Sequence, residues 1–160
     1  MNTLLMGSCL SLFLLGTVLS RAEEARSDAG IKNVVHEFAE GWNMHNPSAM
    51  ADAWVTDGDV IIPVGRVAKG HAEIVELFTD EQTGPFKHST IRLDVSGIRW
   101  IGAHHAFVDV SGHVTGVEFG PNQPKEFDNH LVLLMAEHEN KWKIIAARPY
   151  SFIQPPPMAK

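Results

Sequence analysis

Apolar positions in the first third of the chain recur at helical spacing. Ile31, Val34, Val35, Phe38 and Trp42 share one face of a 3.6-residue helix. The pattern predicts an amphipathic helix ending near "NMHN", residues 43–46. Asn46-Pro47 predicts a second helix, with Asn as N-cap, Pro at the first helical position, and Met50, Ala53 and Trp54 as its apolar face. "TDGD", residues 56–59, reads as a turn, and "VIIPVG", residues 60–65, as a short strand stopped by Pro63. "KGHAEIVELFTDEQTG", residues 69–84, predicts a third helix with Ile74, Leu77 and Phe78 inward and Gly84-Pro85 closing it.

After Pro85 the period changes from 3.6 to two. "HSTIRLDVSGIRWIG", residues 88–102, alternates, with Gly97 as a bulge. "HHAFVDVSGHVTG", residues 104–116, alternates again. Residues 125–153 read as a long hairpin turning near Glu139-Asn140, and the prolines of the tail, residues 154–160, stop further pairing. The layout is three helices with one short strand, then a four-stranded antiparallel meander. That is an α+β architecture, with helices on one face of a curved antiparallel sheet.

Composition narrows the function classes. A chain of 160 residues suits one domain with a real core. The net charge is −6 and no Lys/Arg cluster occurs, so no nucleic-acid partner is expected. Residues 9–19 are apolar and uncharged, and Ser20 and Ala22 sit at −3 and −1 for cleavage after Ala22. The expectation is a signal peptide over 1–22, a flexible lead-in over 23–30, a domain over 31–153, and export to a periplasmic or extracellular space. The leader carries no Lys or Arg before its apolar run, so retention as an anchor is the alternative. Cys9 is the only cysteine, which leaves the mature domain without a disulfide, a thiolate metal site or a cysteine nucleophile.

The order of elements, with the strings "FAEGWNMHNPSAMADAWVTDGDVIIPVG", "KGHAEIVELF", "IRWIGAHHAFVDV" and "NKWKIIAARPYSF", resembles the nuclear transport factor 2-like superfamily. It is most similar to small SnoaL-like proteins of the SgcJ/EcaC type. The resemblance covers roughly residues 30–152 and implies a cone-shaped, cystatin-like fold with a pocket. It does not choose a chemistry. Ketosteroid isomerases of this superfamily place an aspartate base before a Pro-Val-Gly turn, a tyrosine on the first helix and a protonated aspartic acid on a late strand. The matching positions here are Ile62, Phe38 and Asn129. Ile62 carries no base, so isomerisation by that mechanism is not expected. What the resemblance leaves is an apolar cavity lined by Phe38, Trp42, Trp54 and Ile62.

Candidate chemistry centres on residues 104–114. Period two puts His105, Phe107, Asp109, Ser111 and His113 on one strand face and Ala106, Val108, Val110 and Val114 on the other. Alternation alone buries the valines. The resemblance implies the reverse, with Phe107, Asp109, Ser111 and His113 toward the cavity and the valines against a second copy, giving a homodimer through the outer sheet face. The same matching points Asn129, Leu131 and Leu133 inward, opposite Ala146, Arg148 and Tyr150. Asp109, His113 and Arg148 then become candidate catalytic groups, with an Asp109–Arg148 ion pair and His113 as base. The alternative is a buried structural pair beside a solvated histidine. His88, at a strand start, is a candidate for the pocket mouth. The nine histidines show no i, i+2 strand pair or i, i+4 helix pair, so no metal is expected, and no cofactor motif occurs.

Three functions follow. The first is an exported protein whose pocket binds a small, largely apolar molecule. The second is an isomerase, dehydratase, cyclase or hydrolase acting on a small hydrophobic metabolite through Asp109, His113 and Arg148. The third is an association module.

Overall fold

The computed structural model describes residues 28–138 and 141–152. The expected leader, most of the lead-in and the tail over 154–160 lie outside the described residues. Helix α1 spans Asp28–Asn43 and buries Ile31, Val34, Val35, Phe38, Ala39 and Trp42, the stripe the spacing predicts. Helix α2 spans Pro47–Ala51, and the Asn46 side chain caps it by accepting from the Ala49 backbone N–H at 3.1 Å. Helix α3 spans Gly70–Thr83 and buries Ile74, Leu77, Phe78 and Gln82.

Six strands follow in chain order: β1 (Trp54–Ile61), β2 (Val67–Lys69), β3 (Thr90–Trp100), β4 (His105–Thr115), β5 (Glu126–His138) and β6 (Lys141–Tyr150). They form one open sheet in the order β2-β1-β6-β5-β4-β3. Every pairing is antiparallel except β1 with β6. The expected α+β architecture is therefore present, with one more strand than the spacing suggested.

Two local expectations change. The second helix stops at Ala51, and Trp54 opens a strand. "TDGD" is not a free turn but an irregular stretch inside β1, where the pairing with β6 slips between Trp54 and Asp59. The Trp54 indole closes that slip by donating to the Asp59 carbonyl at 3.0 Å. Gly58 is required there: a Cβ would lie 2.8 Å from the Trp54 ring and 3.1 Å from two carbonyls of β6. The chain then reverses through Ile62–Arg66, with Gly65 at φ +87°, and returns as β2.

Helices and sheet meet in a single core. Asn43 ties the end of α1 to β3 in both directions, its Nδ2 donating to the Ile91 carbonyl at 2.9 Å and its Oδ1 accepting from Ile91 N–H at 2.7 Å. The inner face of β4 supplies Ala106, Val108, Val110 and Val114, all at 2 % exposure or less. Burying a valine stabilises by roughly 1.5–3 kcal/mol, whereas burying Asp109 unpaired would cost more than that. The valines therefore face the helices. The expected bulge at Gly97 is present as a register shift against β4 between Val95 and Gly97.

Candidate functional site

A cavity of about 610 Å³ lies between the helices and the inner sheet face. Its helical wall is Phe38 and Trp42 from α1 with Leu77, Phe78, Asp80 and Glu81 from α3. The sheet wall is Trp54 and Val60 from β1, Ile91 from β3, Val114 from β4, Asn129 and Leu131 from β5, and Ala147 and Pro149 from β6. Ile62, Val64 and Arg66 come from the β1–β2 turn, and Phe86 and Phe119 from loops. Val64 at 85 % and Phe119 at 51 % exposure mark the opening.

The rings pack edge to face. Phe38 meets Trp54 at 5.6 Å between centroids, Trp42 meets Phe86 at 5.3 Å, and Phe86 meets Phe119 at 5.5 Å. This geometry suits ring quadrupoles. Trp42 is fixed further by donating its indole N–H to the Ser89 hydroxyl.

Three charged side chains reach the cavity. Arg66 and Asp80 pair across 2.7 Å at its edge, both substantially exposed. Glu81 sits deeper, and burial pushes its carboxyl up to about 7, against a smaller downward pull from the Arg66 charge. A carboxyl in that range holds or releases a proton near neutral pH, which is what proton transfer or recognition of a charged group would use. Glu81 lies outside the strand residues expected to carry chemistry. Its signal was present: Ile74, Leu77, Phe78 and Glu81 fall at i, i+3, i+4 and i+7, so a carboxylate occupies the apolar stripe of α3.

Of the residues expected at the pocket, Phe38, Trp42, Trp54, Ile62, Asn129 and Leu131 line it. His88, Phe107 and Tyr150 do not: all three are exposed. The candidate catalytic trio does not converge. Asp109 is on the solvent face of β4, beside Gly97 of β3 and Val132 of β5. His113 is on the same outer face, bound through Nδ1 to Asp128 at 2.9 Å, with that carboxylate 80 % exposed. Arg148 pairs with Asp59 of β1, and donates as well to the Ala147 carbonyl at 2.8 Å.

Both errors of face have a physical origin. On β4 the resemblance-based matching was one residue out of phase, and a one-residue slip exchanges the two faces of a strand. The valine stripe is spent on the core and is not available to a second copy. On β6 the pairing slips: Met135 opposes Ile144 but Leu134 opposes Ala146, so Ile145 is an extra residue. Past it, Ala147 and Pro149 face inward, and Ala146, Arg148 and Tyr150 face out.

No family model matches the sequence. Comparison with curated proteins likewise gives no match. Solved structures do match. A domain of unknown function with a cystatin-like fold from Nostoc punctiforme superposes with a TM-score of 0.68 at 17 % identity, over 79 % of this chain and 78 % of that one. An uncharacterised cystatin-like protein from Caulobacter vibrioides gives 0.67 at 24 % identity, over 76 % and 86 %. A nuclear transport factor 2-like protein from Novosphingobium aromaticivorans gives 0.68 at 16 % identity, over 86 % and 90 %. The chain has the cystatin-like, nuclear transport factor 2-like fold. Solved proteins of scytalone dehydratase and ketosteroid isomerase-like description share it. Within this fold, the three positions that the sequence resemblance aligned with isomerase catalytic groups, Phe38, Ile62 and Asn129, all lie on the cavity wall. Among the described residues, no group of three or more His, Cys, Asp or Glu side chains is placed to hold a metal ion.

Proposed function

We propose that this protein binds a small, largely apolar molecule in the cavity between α1, α3 and the inner sheet face. The observation that carries the proposal is the wall itself: about 610 Å³ enclosed mainly by aromatic and aliphatic side chains, with few polar groups. Sites for small organic molecules have this size and this composition. Asn129, on β5, offers a carboxamide donor and acceptor to orient a ligand's polar end. The trio Asp109, His113 and Arg148 lends no support to a catalytic reading, because those side chains stand on the other side of the sheet.

Thermal unfolding against a panel of neutral ring compounds tests the proposal. A compound present at about 100 times its Kd adds about 2.7 kcal/mol to stability, which raises the midpoint by several degrees. The rise should vanish in Leu131→Trp, which puts bulk into the cavity. A panel without a single stabilising compound, or a rise that survives the filled cavity, would count against it.

A further inference from the structure

The polar groups on the cavity wall differ in how well they are satisfied. Arg66 and Asp80 neutralise each other at the edge across 2.7 Å. Asn129 and Ser151 are uncharged. Among the described residues lining the cavity, Glu81 is the acidic group outside an ion pair. Arg66, from the β1–β2 turn, and Asp80, from Glu81's own helix, are the other charged groups on the wall. The strands contribute none. With all three ionised, the wall carries one net negative charge.

The remaining surface is aromatic. Trp42, Trp54 and five phenylalanines share the cavity with Glu81. Ring faces are the negative side of the aromatic quadrupole, and tryptophan attracts cations most strongly. An anion entering this space would meet a second carboxylate in poorly solvated surroundings. A neutral molecule would leave the Glu81 charge desolvated, offset only by the Arg66 charge already paired with Asp80, or force it to keep its proton. An organic cation would meet both a counter-ion and an aromatic surface.

We propose that the cavity selects hydrophobic organic cations, a quaternary or protonated amine on an apolar body, over neutral molecules of the same shape, with the Glu81 carboxylate as counter-ion. This rests on the reading that the cavity binds small molecules, and it names their class. Selection then comes from charge, since the apolar walls serve both kinds of ligand equally. The position of Glu81 on the apolar stripe of α3 fits: a helix otherwise free to place an aliphatic residue there places a carboxylate.

Phenyltrimethylammonium and tert-butylbenzene differ only in a nitrogen for a carbon, so they separate charge from shape. Titration calorimetry of the protein at pH 8 should show the cation binding about tenfold or more tightly than its neutral twin. At pH 6 the preference should shrink, with proton release on binding the cation, because a protonated Glu81 must first ionise. Glu81→Gln should erase the preference while still binding tert-butylbenzene, and that binding shows that the variant is folded. Should the variant fail to fold, the pH dependence and proton release of the unaltered protein decide the matter. Equal or tighter binding of tert-butylbenzene at pH 8 overturns the cation proposal and leaves small-molecule binding intact. An undiminished preference in Glu81→Gln overturns it too. Failure of both compounds to bind overturns this proposal, while the wider panel of ring compounds decides the reading beneath it.

Discussion

The indole Nε1 of Trp42 donates to the Ser89 hydroxyl across 3.0 Å, and that hydroxyl donates in turn to the Phe86 carbonyl at 2.8 Å. Ser89 is fully buried. A wall tryptophan from α1 is thus tied through one hydroxyl to the loop that carries Phe86, another wall residue. Ser89→Ala would leave the buried indole N–H unpaired, at a cost of about 1–3 kcal/mol. A urea melt should place the variant's midpoint below that of the parent by a corresponding amount. A midpoint identical to the parent's would mean that the indole finds another partner and that this tie is dispensable.

Asp109 and His113 occupy the solvent face of β4, so their replacement should be quiet. Asp109→Asn and His113→Ala should each change stability by less than about 0.5–1 kcal/mol, the range for surface substitutions and exposed ion pairs. Neither should alter the affinity of a cavity ligand. If either change abolished ligand binding, the outer sheet face would have to communicate with the cavity, which the arrangement of side chains gives no reason to expect.

Glu81 should leave a mark on stability against pH. Its folded-state value, about 7, lies above the ordinary 4.5. Between those values the native state holds a proton that the unfolded chain has lost, so stability falls as pH rises. The contribution is fully present below about pH 4.5, is lost as pH climbs through about 7, and is flat beyond. Its size is up to about 3 kcal/mol at 1.36 kcal/mol per unit. Chemical denaturation of the protein and of Glu81→Gln at pH 5 and pH 8 should show the parent losing more stability than the variant. Parallel losses would place the carboxyl in ordinary contact with water.

The two long helices, α1 and α3, were legible because each buries one stripe and the stripe repeats at 3.6 residues. Ile31 through Trp42 needed no further information. The β4 valines were legible too, since alternation alone sends them inward. The fold-level resemblance reached the right architecture and the right wall at Phe38, Ile62 and Asn129. It failed on β4 and β6, where a single residue decided the face. Ile145 is one extra residue in β6, and nothing in "KWKIIAARPY" marks it. It reverses the side on which Arg148 and Tyr150 emerge. The partner of Arg148, Asp59, comes from a strand that pairs parallel to β6 across 89 residues of chain, a relation no local pattern carries. Glu81 was hidden for a different reason: it lies on a helix, where it interrupts an apolar stripe, rather than on a polar strand face.

The slip at Gly97 has a consequence for how this molecule behaves in company. The sheet is open, so its two rims, β2 and β3, present backbone that another chain could zip onto. The β2 rim is three residues long and offers little purchase. The β3 rim is eleven residues long and would be a risk, but the extra residue beside Gly97 bends it, and Arg92, Asp94 and Arg99 stud it with exposed charge. Irregularity and charge at that margin make it a poor template for a further strand.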